Sequence, residues 1–182
     1  MIPQGSAPTE VEPAPDPEVM KRGRGLTPGE IALLTPIFGN AIDYARVKVY
    51  GKKWAFFQGS NVAMTPNGKV YFPAESGYYR ADFSRASASM QALFVHEMTH
   101  VWQHQLGVNV MWKGFVLHVL SGQNPYAYTL DAARSLTGYN IEQQASIVED
   151  LFVLRKFPQY AADAGITGLR ADYEKIVGPI KR

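Results

Sequence analysis

The chain has 182 residues, 46% apolar and 19% charged, which fits one compact domain with a core of its own. With no cysteine, disulfide scaffolds, thiol nucleophiles, Cys-ligated zinc and iron–sulfur clusters are excluded, and any metal must be held by His, Asp or Glu. A net charge of +2 gives no electrostatic footprint for nucleic acid, and no apolar run reaches the roughly 18 residues of a membrane span.

Residues 1–25 read as a proline-rich linker or tail, and residues 26–182 as the folded domain. Five prolines fall in the first seventeen residues among Glu10, Glu12, Asp16 and Glu18, and such a segment buries too little to offset its ordering entropy. The opening Met-Ile-Pro-Gln-Gly-Ser has neither a basic start nor an apolar stretch, so no cleavable secretory signal is expected. The short basic clusters Lys21, Arg22, Arg24 and Lys52, Lys53 read as solvated surface.

Thr27-Pro28-Gly29-Glu30 predicts a helix start, with Thr27 as N-cap, Pro28 at the first position and Glu30 closing a capping box. Pro36 marks its end or a kink. Asp43 to Tyr50 reads as a strand with Val47 and Val49 on one face, Trp54 to Met64 as a second extended stretch, and Lys69 to Phe72 as a third. Pro66-Asn67-Gly68 is the turn signal of a hairpin. From Ser87 the period becomes helical, with Gly107 as a C-cap. A short helix is expected at Trp112 to Leu120, a loop at Gly122 to Tyr128, and a strong helix from Ile141 to Lys156 stopped by Pro158. Residues 160–182 read as partly helical and peripheral. The fold class is therefore α+β.

The chemistry lies in His96-Glu97-Met98-Thr99-His100, the HExxH pattern placed mid-helix. Two histidines four apart sit about 40° apart around a helix and about 6 Å along it, so both imidazoles can face one ion. Glu97 then projects beside that ion, where it can take a proton from water. With four His, chance would produce such a pattern roughly 0.004 times in a chain of this composition.

A catalytic zinc needs a third protein ligand and an open position. His104 lies about 12 Å further along the axis than His96 and is excluded. The longer HExxHxxGxxH pattern fails because Gln103 and Leu106 stand where Gly and the third His belong. His118 is a weak alternative. Glu142, opening the amphipathic helix with Ile147, Val148, Leu151 and Leu154, is the expected third ligand, and Ala145 provides the small residue where two helices approach. Glu149 or Asp150 can orient a histidine from behind. Tyr126 or Tyr128 can supply the donor for a developing oxyanion, and the edge at Asn61 to Met64 can pair with an extended peptide.

His-Glu-Met-Thr-His-Val-Trp-Gln, the preceding Val70-Tyr71-Phe72 strand and the later Glu-Gln-Gln-Ala helix resemble the zincin metallopeptidase-like domains of bacterial toxins. More narrowly, Leu26 to Phe157 resembles the C-terminal metallopeptidase domains attached to type VI secretion spike (VgrG) proteins, the stretches 26–32 and 40–44 included. The resemblance implies a zincin-like fold, with helices on a small, mainly antiparallel sheet and the HExxH helix at its centre. It implies one Zn²⁺ per chain held by His96, His100 and Glu142, with Glu97 as base, and a peptide or protein substrate. It also implies delivery by a type VI spike without a signal peptide, action in the target cell's periplasm, and a cognate immunity protein. Three other readings use the same residues: a hydrolase of peptidoglycan amides, a catalytically silent spike-attached binding module, and a housekeeping cytoplasmic peptidase.

Overall fold

The chain was described in a computed structural model covering residues 15–110 and 124–181. Its elements are α1 (Pro17–Arg22), α2 (Pro28–Phe38), β1 (Val49–Tyr50), β2 (Val70–Tyr71), α3 (Ala88–Gln105), α4 (Ile141–Lys156), α5 (Pro158–Asp163) and α6 (Arg170–Val177), with short 3₁₀ turns between them. This is an α+β arrangement of helices around a small two-stranded sheet. The helix expected over Trp112 to Leu120, His118 with it, and the tail residues 1–14 lie outside the described residues.

The capping box forms as the local sequence dictates. The Thr27 hydroxyl accepts from the Glu30 N–H at 3.0 Å and Glu30 accepts from the Thr27 N–H at 2.9 Å. Glu30, which is fully buried, also takes the Phe83 N–H and both Nη atoms of Arg24, at 2.7 and 2.8 Å. That ion pair brings the segment ahead of Leu26 onto the domain. Arg24 also forms an antiparallel bridge with Val49, and α1 precedes it with Asp16 as N-cap. Structure thus begins before Leu26, because one buried carboxylate recruits Arg24 from the segment that composition assigns to a tail. Pro36 sits inside α2, which ends two residues later at the Gly39 cap.

The sheet differs from the antiparallel expectation. β1 and β2 pair in parallel, Val49 opposite Val70 and Tyr50 opposite Tyr71. The antiparallel partner of β2 is Met64 alone, across the Pro66-Asn67-Gly68 turn, with N–H to C=O bonds in both directions at 3.1 and 2.9 Å. The hairpin thus occupies one edge of β2 and leaves the other to β1, which arrives by a crossover and so runs parallel. Asp43 to Tyr50 opens with a 3₁₀ turn, Tyr44–Arg46, and is strand only at Val49–Tyr50, and the extended stretch expected from Trp54 contracts to Met64. Val47 and Val49 do share the buried face.

The core runs from this sheet through stacked rings. Phe72 lies 5.0 Å from Phe83, and Phe83 lies 4.5 Å from Phe94 of α3, centroid to centroid. α3 crosses the middle of the domain and is buried along most of its length. Its principal partner is α4, which contributes Ile147, Val148, Leu151 and Phe152. Ser87 caps α3, and its C-terminus closes with Gly107 at φ 84°, where the Val108 N–H reaches the Gln103 carbonyl and the Gly107 N–H the His104 carbonyl. A positive φ suits glycine there. The final segment is not peripheral. Tyr173, Ile176 and Val177 of α6 enter the core, and the Trp102 indole N–H donates to the Lys181 carbonyl. No helix among the described residues is long and apolar enough to cross a membrane.

Candidate metal centre

α3 and α4 bring three donor residues together. His96, His100 and Glu142 are all buried, and one ligand atom from each lies within 4.8 Å of the other two. Among the described residues this is the His/Asp/Glu group that can hold a metal ion. Glu142 reaches it because the Asn140 side chain caps α4 through the Gln143 N–H, fixing the first turn where the carboxylate sits. Ala145, wholly buried, lies one turn further along the same helix.

Both histidines are held from behind. His96 Nδ1 meets the Glu149 carboxylate at 3.0 Å, and His100 Nδ1 meets Gln103 Oε1 at 2.8 Å. The Gln103 amide cannot face the other way, since its Nε2 donates to the Ile141 carbonyl at 3.0 Å and to Gln144 Oε1 at 3.1 Å. Both Nδ1 atoms therefore carry the proton. Neutral imidazoles so fixed direct bare Nε2 lone pairs at Glu142 Oε2, 3.6 Å from His96 and 3.2 Å from His100. Two lone pairs against a carboxylate repel unless a cation lies among them. Donors about 2.1 Å from a tetrahedral ion would stand about 3.4 Å apart, which these separations match. The residues fit a metal.

Electrostatics agree. Burial opposes a charged His96, but hydrogen bonds with Glu142 and Glu149 and the charges of Glu149 and Glu97 outweigh it and push the group up to about 10. Burial likewise disfavours a charged Glu142, yet His100 and His96 hold its carboxyl well below the usual range.

Glu97 is buried, and its Oε2 accepts a 2.6 Å hydrogen bond from the Thr65 hydroxyl. Thr65 directly follows Met64, so the edge of the sheet reaches the site through this bond. Tyr126 is 41% exposed, with its ring 5.9 Å from the His96 ring. Burial, then Glu142 and Glu97, raise its phenol well above the ordinary value. Tyr128 is turned elsewhere: its hydroxyl is engaged by Asp150 and by the Tyr173 hydroxyl. Asp150 therefore binds that tyrosine and not a histidine, and burial pushes its carboxyl up to about 6. Of the two acids considered as a histidine partner, the structure places Glu149 on the ring. His104 is exposed and packs over Gly68.

Two residues here were not singled out from sequence. Gln103 had a signal, its i,i+3 spacing from His100 on a helix. Thr65 had none, because its partner Glu97 lies 32 residues away.

No known family model matches the chain. Over 163 residues, 87% of its length, it is 41% identical to the type VI secretion system spike protein VgrG2b of Pseudomonas aeruginosa, and it spans 16% of that protein. It is 42% identical to the solved effector domain of Pseudomonas aeruginosa VgrG2b, with a TM-score of 0.68 over 83% of this chain and 84% of that one. A buried His-His-Glu cluster on two packed helices and this likeness across most of both chains place the protein in the family of the VgrG2b effector domain.

Proposed function

We propose that the chain is a zinc-dependent metallopeptidase, the effector domain of a type VI spike, cleaving peptide bonds in the periplasm of a rival cell. The observation that carries the reading is the convergence of the His96, His100 and Glu142 donor atoms with Glu97 alongside. Two imidazoles and a carboxylate form a donor set suited to Zn²⁺ with a position left open. A bound zinc would supply Lewis acidity and lower the pKa of water in the site.

The remaining steps belong to the chain. Glu97, with one carboxylate oxygen fixed by Thr65, takes the proton of the attacking water on the other and delivers it to the leaving amine. Tyr126, kept protonated by burial and by its acidic neighbours, donates to the oxyanion. Met64 exchanges both backbone bonds with Tyr71, so the adjoining half-buried Ala63 directs its own away from β2. An extended peptide pairing there runs past Glu97, which favours a polypeptide substrate. A spike carrier, secretion without a cleavable signal and a cognate immunity protein belong to the same reading.

The test is Glu97→Ala. Cleavage of an unfolded protein should fall by at least about 10²-fold while bound zinc stays near one per chain. Glu142→Ala should lose the zinc itself. Normal cleavage by Glu97→Ala would remove the general-base role, and unchanged zinc in Glu142→Ala would remove the third ligand. Digestion of purified sacculi in parallel separates a peptidase from a peptidoglycan-amide hydrolase.

A further inference from the structure

The loop between β1 and the Met64 edge holds aromatic rings in water. Phe56 is 95% exposed and Phe57 63%. They pack edge-on to each other at 5.3 Å, and Phe57 packs on Trp54 at 5.8 Å. The loop is tied open by one buried polar side chain. Gln58 Oε1 accepts the Trp54 N–H at 2.6 Å, and its Nε2 donates to the carbonyls of Val62 at 2.6 Å and Tyr71 at 3.2 Å. These bonds fix both ends of the loop and leave its tip, Phe56 and Phe57, projecting.

Cations lie on the strands that lead into that loop. The parallel register sets Lys48 beside Lys69, and Lys52 lies over the Tyr50 ring, which stacks on Tyr71. Among the described residues none of these three lysines has an ion-pair partner, and the adjacent Lys53 is paired with Glu75. A convex apolar tip with a basic surround is complementary to a bilayer whose headgroups are anionic: rings enter the interface while ammonium groups meet phosphates. A groove for a peptide side chain would instead be concave.

We propose that residues 52–57 dock this domain on anionic membrane surfaces, with Phe56 and Phe57 inserted and Lys48, Lys52 and Lys69 at the headgroups. The chain continues from the tip through Val62 into the Ala63–Thr65 edge, so docking brings that edge toward the lipid surface. A further consequence, which rests on the peptidase reading, is that the substrates are polypeptide segments close to a membrane.

The experiment is co-sedimentation of the 182-residue chain with large unilamellar vesicles, either pure phosphatidylcholine or an equal mixture with phosphatidylglycerol. Chelator is present throughout, so the outcome is independent of metal and catalysis. Binding should require phosphatidylglycerol and weaken with added salt. Replacing both rings, Phe56→Ser with Phe57→Ser, should lower the partition coefficient by about tenfold or more. Lys52→Gln and Lys48→Gln should each lower it about fivefold. The replaced side chains are exposed, so an unchanged thermal midpoint should accompany each loss. Failure to sediment with anionic vesicles, or equal binding by the double serine variant, overturns the proposal. So does a parent dimer in sedimentation velocity that the serine variant dissolves while neither binds lipid, which would assign the tip to a second copy of the chain.

Discussion

On the metal-site reading, chelation leaves a proton to take the cation's place among His96, His100 and Glu142, and the pH dependence of stability follows from that exchange. His96 is pushed from 6.5 up to about 10. Between those values the folded chain keeps a proton that the unfolded chain has released. The stabilisation is therefore complete below pH 6.5 and is lost as pH rises through 10, at about 1.4 kcal/mol per pH unit in the window. For a chain of this size that corresponds to roughly 3–6 °C of Tm per unit. Thermal unfolding in chelator at steps between these limits measures the slope. Glu142→Gln, which removes the carboxylate facing both rings, should flatten it. Zinc uptake near neutral pH must expel the same proton, so calorimetric titration in buffers of different ionisation heat should return about one proton per metal. Superimposable pH profiles for the parent and Glu142→Gln, or proton-neutral uptake, would refute the reasoning that the cluster needs a cation.

Gln103→Leu removes the acceptor of His100 Nδ1 and the donor to Ile141 and Gln144. Zinc affinity by equilibrium dialysis should drop about 10–100-fold and stability by about 1–3 kcal/mol in denaturant titration. Thr65→Val keeps the side-chain volume but releases Glu97 Oε2; kcat should fall about tenfold or more at unchanged zinc content. Arg24→Met strands the buried Glu30 carboxylate and should cost about 3–5 kcal/mol; adding Glu30→Met should restore only part of it, because the Thr27 and Phe83 N–H groups then lose their acceptor.

The helices that hold the site were legible because their ends are chemically marked. Thr27 with Glu30, Ser87, and Asn140 with Gln143 all cap as such residues do, and Pro158 begins a new helix where the pattern of α4 ends. The sheet was less legible. Val-Tyr pairs carry strand propensity, but propensity does not say which edge a partner takes, and the Met64 hairpin left β1 the parallel side. The reach of the domain before Leu26 escaped composition for a related reason. Arg24 looks like surface charge until Glu30, six residues on, is known to be buried beneath it.

Of the site itself, a fixed spacing reveals the residues that face one ion from one helix, and long-range packing decides the rest. Glu142 and Glu149 are seven apart and so share a face of α4, one meeting the imidazole Nε2 atoms and the other a Nδ1. Asp150, one residue further round, meets Tyr128 instead. The seven-residue spacing sets Glu149 on the Glu142 side, but which of Glu149 and Asp150 meets a ring requires the rotation of α4 against α3. That rotation is set by Ile147, Val148 and Leu151 entering the core beside Val95 and Met98. The same apolar contacts that fold the two helices therefore orient the acids on them, and the donors converge on rigid elements.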